Sequence, residues 1–386
     1  MTMKSYLTPM TDALKRLISF YTAPEPPAPL APFGKTNAAA LAYTLDLCRS
    51  LGFTVKNLDG YAGYAEYGAG ETFGVLCHLD VVPFLREDWT HDPLGGEIVD
   101  GKLYGRGALD DKGPTVAALY AVKALIDQNA PFRKKVRFIF GLDEEGGEWK
   151  SVMHYFKKEG FPSVGIAPDA DFPVIYSEKG KVNYFLTAPR TDNSPVLDFN
   201  AGVRANIVPD TAAMTVTDKR IADEAERCGL GVFFDNIYKI TAVGRAAHGA
   251  HPDQGENAAM KLLKVLSDCG ITPYDTLYGA LADIHGSGLG IDFEDEISGK
   301  LTLNAGVFRK KPDGNLKVEI DIRYPHNTNQ TEIKKRIKKH APSLTLRTGS
   351  AHPPLYVPET DPLVQTLLKA YDKVTGGHAK PVSIGG

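Results

Sequence analysis

The chain is poor in several features that would narrow its class. Its 386 residues hold four cysteines and two tryptophans. Cys48, Cys77, Cys228 and Cys269 are scattered and form no C-x-x-C pair, which argues against a disulfide framework or a thiolate metal site. Reduced thiols suit a cytoplasm, the expected location. No stretch approaches the roughly 20 apolar residues of a membrane span, so no membrane partner is expected. Residues 1–8 lack the apolar core of a secretory signal. The formal net charge is −3, which gives a polyanion no electrostatic hold. There is also no basic stripe interleaved with aromatics, so no nucleic-acid partner is expected.

What the chain has is a globular composition, 43% hydrophobic over 386 residues, enough for two domains with sizeable cores. Helical spacing marks residues 37–51, and residues 115–127 after Pro114. Strands alternate with these helices, which predicts an α/β fold with a mainly parallel sheet covered on both faces. From about residue 184 the pattern changes. Residues 316–323 alternate polar and apolar, as in half-buried antiparallel sheet. Helices are predicted at 257–267, 331–339 and 361–375, the last after the alternating region has ended.

Four short segments carry the chemistry. An apolar run, Thr72 to Cys77, ends in His78-Leu79-Asp80, and a second, Val136 to Phe140, leads into Asp143-Glu144-Glu145-Gly146-Gly147. Between them lies Gly105-Arg106-Gly107-Ala108-Leu109-Asp110-Asp111-Lys112-Gly113, and after them Pro168-Asp169-Ala170-Asp171. The carboxyl ends of strands are where open α/β sheets place ligands. Taken singly, these are a strand-end pair, a helix N-terminal acid pair favoured by the dipole, a solvated turn and a proline turn. Jointly they offer imidazole and carboxylates, the ligand types of catalytic zinc. Two such ions roughly 3.5–4 Å apart polarise a carbonyl and activate water, so the set reads as a dinuclear hydrolase site.

In residue type and order these motifs resemble the co-catalytic zinc metallopeptidases, a family of carboxypeptidases, aminoacylases and dipeptidases. The likeness is strongest to the bacterial Xaa-His dipeptidase (carnosinase-like) branch and runs from about His78 onward. The resemblance implies two zinc ions per chain, with cobalt or manganese as alternatives. It implies His78 and Asp169 on one metal, Asp110 bridging, and Glu145 on the other. Glu144 becomes the general base, Asp80 the group that orients His78, and the Asp110–Asp111 peptide is expected to be cis. Neighbours in extended backbone face opposite ways, which agrees with dividing Glu144 from Glu145. A further imidazole is expected on the Glu145 metal. His340, His352 and His378 lie outside the matching context, so that ligand is expected beyond Gly386 and the catalytic domain is expected to be incomplete.

The resemblance also implies an α+β lid over residues 185–356, inserted into a catalytic domain of residues 1–184 and 357–386. A lid of about 170 residues points to a monomer. Within it, Gly244-Arg245-Ala246-Ala247-His248 matches the family pattern and makes His248 a donor to the developing oxyanion. Asn206 is the second donor, and Arg323 clamps the substrate carboxylate by its fork. The lid is expected to swing over the metals before chemistry. The expected activity is hydrolysis of small dipeptides. The alternatives are an N-acyl-amino-acid deacylase of the desuccinylase or aminoacylase type, and a non-catalytic metal- or peptide-binding protein. Asp111 and Glu178 are the candidates for binding a substrate ammonium.

Overall fold

The computed structural model describes residues 3–147 and 149–385. The chain forms two compact units, Met1–Ala170 and Asp171–Gly386. The first contains α1 (Leu7–Ile18), α2 (Lys35–Ser50), β1 (Thr54–Leu58), β2 (Ala62–Tyr67) and β3 (Thr72–His78). A small ribbon of β4 (Glu97–Val99) and β5 (Lys102–Tyr104) precedes α3 (Lys112–Asp127), β6 (Lys135–Gly141), α4 (Lys150–Glu159) and β7 (Val164–Ile166). The main sheet has the order β1-β2-β6-β3-β7. β2 is antiparallel to both neighbours, while β3 is parallel to β6 and β7, so every strand except β2 points one way.

Burial explains the layering. Phe138 and Phe140 pack with Leu17, Leu41, Leu45, Val116 and Leu119 of α1, α2 and α3. Ile139 between them faces the other way, against Tyr64 of β2 and Tyr155 of α4. A strand apolar on both sides needs helices on both faces, and here it has them. The register runs from Thr72↔Lys135 to His78↔Gly141. The two strands therefore end level, which brings the segment after His78 beside the turn after Gly141. Helix α3 starts at Lys112, earlier than the sequence suggests. Pro114 still falls within the first turn, where a helix leaves its N–H groups without intrahelical partners.

The second unit contains β8 (Ile175–Glu178), β9 (Gly180–Ala188), β10 (Val196–Ala201), β11 (Thr211–Val216), α5 (Lys219–Arg227), β12 (Gly231–Asp235) and β13 (Ile237–Val243). Next come α6 (Ala258–Asp268), α7 (Tyr274–Leu281), β14 (Glu294–Asp295), β15 (Gly299–Lys300), β16 (Thr302–Lys310) and β17 (Leu316–Tyr324). The unit continues through α8 (Gln330–His340), β18 (Thr345–His352), β19 (Leu355–Tyr356), α9 (Pro362–Thr375) and β20 (Val382–Ile384). Eight strands form an antiparallel sheet ordered β12-β13-β11-β10-β16-β17-β9-β18.

One face of that sheet packs on helices. Val182, Tyr184 and Leu186 of β9 and Val318, Ile320 and Ile322 of β17 join Leu262, Leu266, Ile333 and Ile337 of α6 and α8. Side chains alternate along a strand, so Lys181, Asn183, Asp321 and Arg323 face the opposite side. Asn257 caps α6 by accepting from Ala259 N and Met260 N, and Asn329 and Asp361 cap α8 and α9. Such a cap contributes about 1 kcal/mol. A separate small sheet joins β19, β8 and β20. The expected domain boundaries at 184 and 357 both fall inside this second unit.

Candidate metal centre and active-site residues

His78 ends β3 and is almost fully buried. Its Nε2 lies 2.9 Å from Asp110 Oδ1 and 3.4 Å from Asp169 Oδ2. Among the described residues these three are the one group of His, Cys, Asp or Glu whose ligand atoms all lie within 4.8 Å of one another. Burial by itself would make His78 a weaker base, but hydrogen bonding to Asp110 and Asp169, with Asp80 close by, raises its pKa far above the ordinary 6.5. Asp110 is held below its usual range by the same contact with His78. The site thus attracts a cation, and its donors fit zinc.

The other nitrogen of His78 is held by the backbone. Nδ1 lies 3.0 Å from the carbonyl oxygen of Asp80 and 3.5 Å from its carboxylate. A second partner of this kind fixes the orientation of a metal-binding imidazole. Asp80 thus meets the His78 ring more closely through its main chain than through its carboxylate. Its carboxylate has a different task, accepting from Glu144 N at 3.2 Å and Glu145 N at 3.0 Å. Asp143 ties the start of the same turn to α4 by accepting from Lys150 N and Ser151 N. Gly147 N then closes it on Glu144 O at 2.8 Å.

Glu144 and Glu145 stand in this turn, not in extended backbone. Strand alternation therefore does not divide them, and the Asp80 carboxylate holds both by their backbone N–H groups. Both are half-buried. Burial pushes Glu144 up, with His78 opposing and Asp169, Asp80 and Asp110 adding to the rise. Burial and then Asp110 push Glu145 up to about 7. Glu145 is not part of the three-residue cluster.

The Asp110–Asp111 peptide is cis, as the resemblance implies. Asp111 is fully buried. Its carboxylate accepts from His78 N and Thr115 Oγ1, both at 3.1 Å, and burial raises its pKa to about 7. It cannot serve as a surface anchor for a substrate ammonium, because its oxygens are enclosed by the segments that carry the cluster. Neighbouring Lys112 is also fully buried, donates to Phe20 O at 2.8 Å, and is lowered by burial to about 7.

In the second unit, His248 and Asn206 stand on paired segments. Ile207 bridges His248, Val208 N donates to Ala247 O, and Gly249 N donates to Asn206 O at 2.8 Å. Ala250 N donates to His248 Nδ1 at 3.3 Å. A neutral imidazole accepting at Nδ1 carries its proton on Nε2, and burial with the nearby Arg323 charge lowers the His248 pKa and keeps the ring neutral. Arg323 lies 3% exposed on β17. Its Nε donates to Asp321 Oδ1 at 2.5 Å and its Nη1 to Gly385 O at 3.5 Å. The partner Asp321 was legible as an acid two residues before an arginine on one strand face, and sequence reasoning passed over it. Glu178 is half-buried, with burial raising its pKa against the pull of Arg323 and Lys181.

Residues 74–386 match the profile of Peptidase family M20/M25/M40. The chain belongs to this family. It is 38% identical over 380 residues to the candidate dipeptidase YtjP of Bacillus subtilis, covering 93% of this chain and 81% of that protein. A candidate dipeptidase of Staphylococcus epidermidis is 34% identical over 411 residues, with 99% and 87% covered. Among solved structures, human carnosine dipeptidase 1 matches with a TM-score of 0.59 at 18% identity, over 99% of this chain and 86% of that one. The M20 family metallo-carboxypeptidase Sso-CP2 from Sulfolobus solfataricus matches at 0.56 and 17%, over 97% and 85%. These two likenesses concern the fold. Membership of the M20/M25/M40 family makes the chain a peptidase of mixed α/β architecture. Among the described residues no helix is long and apolar enough to cross a membrane.

Proposed function

We propose that this M20/M25/M40 peptidase is a metal-dependent dipeptidase holding two zinc ions, with cobalt or manganese as alternatives. The observation that carries this reading is the His78–Asp110–Asp169 cluster with the Glu144–Glu145 turn fixed beside it through Asp80. His78 and Asp169 would hold one ion, Asp110 both, and Glu145 the other. Ions bound there would lower the pKa of water and polarise a carbonyl. Glu144 would take a proton from the attacking water on its carboxylate and return it to the leaving amine. His248 donates from Nε2 to the carbonyl oxygen as charge develops there, with the Asn206 amide as the second donor. Arg323, aligned by Asp321, receives the substrate carboxylate.

In this reading the catalytic domain comprises residues 1–184 and 357–386, the lid comprises residues 185–356, and the enzyme is a cytoplasmic monomer. All four cysteines are free thiols, which suits a reducing compartment. A second reading, an N-acyl-amino-acid deacylase, draws on one observation: Asp111 is buried and engaged, which leaves Glu178 as the sole remaining candidate for an ammonium anchor.

The test is a panel assay on purified protein reconstituted with zinc, joined to metal analysis. Turnover of unblocked dipeptides, with little on N-acetyl and N-succinyl amino acids, is expected. Preference for the acylated substrates would replace the first reading with the second, and absence of any hydrolysis in zinc-loaded protein would end both.

A further inference from the structure

Residues 20–23 form a short strap between α1 and α2, ahead of every motif that carries a candidate ligand. Its polar groups are nevertheless turned to those motifs. Thr22 is fully buried, and its Oγ1 donates to Leu79 O at 2.6 Å. Val81 N donates back to Thr22 O at 3.3 Å, and Leu79 N donates to Gly141 O at 3.0 Å. The residue between His78 and Asp80 is thus gripped from two sides, by the end of β6 and by the strap. Two residues before Thr22, Phe20 O accepts from Lys112 Nζ at 2.8 Å. Lys112 is fully buried, and Gly107 makes room for its stem: a Cβ there would stand 2.9 Å from Lys112 Cδ. The rest of the strap is held as well. The Tyr21 ring packs on Phe84 with centroids 4.8 Å apart, and buried Asn37 of α2 donates to Ala23 O at 3.3 Å.

The strap therefore joins the segment that bears His78 to the one that bears Asp110. Asp111 joins them directly too, by accepting from His78 N. The Thr22 bond bears on both contacts of Asp80. Leu79 O belongs to the peptide just before Asp80. The Asp80 carbonyl in turn lies 3.0 Å from His78 Nδ1, and the Asp80 carboxylate accepts from Glu144 N and Glu145 N. Take away the hydroxyl, and Leu79 O loses this donor in a place closed to water, a condition that buried backbone avoids. The peptide relieves it by turning, and Asp80 turns with it. Thr44 on α2 offers a contrast in the same unit. It is 1% exposed and also donates to a carbonyl, Ala40 O at 2.9 Å, but that carbonyl lies in its own helix.

We propose that Thr22 is a positioning residue of the metal centre, and that the strap it anchors sets the geometry of His78 and Asp80 from outside the ligand motifs. Lys112 makes the corresponding tie on the Asp110 side. This rests on the metal-dependent reading above and deepens it, because it gives the segment between α1 and α2 a part in holding the ions. Groups that hold ligands in place in this way change metal affinity or activity by about 10–100-fold when they are lost.

The experiment titrates Co²⁺ into metal-free wild type, Thr22→Val, Thr22→Ser and Thr44→Val. It reads the dissociation constant and the visible absorption, which follows the geometry of the ligands. Valine keeps the branched shape of threonine and removes the hydroxyl. Thr22→Val is expected to weaken Co²⁺ binding about tenfold and to change the spectrum. Thr22→Ser should restore most of both, and Thr44→Val should leave both as in wild type. A Thr22→Val protein that melts earlier but binds Co²⁺ with unchanged affinity and spectrum would show a merely structural role and overturn the proposal. Equal weakening by Thr44→Val would overturn it too. If Thr22→Val does not fold, hydrogen exchange on wild type decides. Coupling is reciprocal, so added zinc should slow exchange across residues 19–23 about fivefold or more, and exchange there that ignores zinc would refute the strap. A wild type that takes up neither ion would end the metal-dependent reading and this proposal with it. Uptake without turnover of any dipeptide would end only the dipeptidase reading, and the Co²⁺ titration would still decide the strap.

Discussion

Replacing Asp80 by Asn separates the tasks of the metal cluster from those of the turn beside it. The residue is 4% exposed, and its two oxygens accept from Glu144 N and Glu145 N at 3.2 and 3.0 Å. Each bond to a charged acceptor contributes about 1.5–3 kcal/mol. Asparagine keeps one accepting oxygen, without the charge, and turns an NH₂ group toward the other N–H. That donor is left facing a donor, at a cost of about 1–3 kcal/mol. Together these changes weaken the hold on the turn by about 3 kcal/mol. The carbonyl of Asp80, which holds His78 Nδ1, is unchanged by the substitution. The ion held by His78 and Asp169 should therefore remain, while Glu144 and Glu145 are loosened together. If that loss appears fully in the transition state, kcat falls by about 10²-fold, since roughly 1.4 kcal/mol is tenfold. The assay is kcat at saturating dipeptide, with zinc content measured on the same preparation. A kcat within about twofold of wild type would refute the reasoning, and so would loss of both ions together.

Glu144→Gln should retain zinc and lose most turnover, whereas Glu145→Gln should lose zinc; equal zinc content in the two variants would contradict the division of roles. A depressed histidine pKa makes the unfolded chain bind more protons between the folded value and the ordinary 6.5. His248 and His352 should therefore cost stability as pH falls below about 6.5, and the double variant His248→Gln/His352→Gln should flatten the thermal-melting profile from pH 7.5 to 5; an unchanged profile would count against their burial as neutral rings. A methyl group on Gly249 would stand 3.0 Å from Asn206 Cα and 3.1 Å from its carbonyl carbon and oxygen. Backbone cannot yield as a side chain can, so Gly249→Ala should cost about 1–3 kcal/mol and lower kcat by displacing His248, read by melting and kinetics together.

The candidate site was legible in the sequence because each member sits within a residue or two of punctuation. His78 and the Glu144–Glu145 turn follow apolar runs that can only be central strands, and the equal ending of β3 and β6 then puts them side by side. Asp110 precedes a helix and Asp169 follows a proline. Local pattern also fixed the main helices and the antiparallel character of β17, since a period of two or 3.6 is written in the order of residues alone. What order cannot express is register between distant strands. Lys181 and Arg323 are neighbours only because β9 and β17 pair in one alignment, and a slip of one residue would turn either to the core. Tertiary structure likewise decided the task of Asp80, whose carboxylate reaches backbone N–H groups far along the chain, and enclosed Asp111 where a surface role had been open to it. These outcomes depend on which buried acceptor a folded backbone presents to which donor, and only the folded chain determines that.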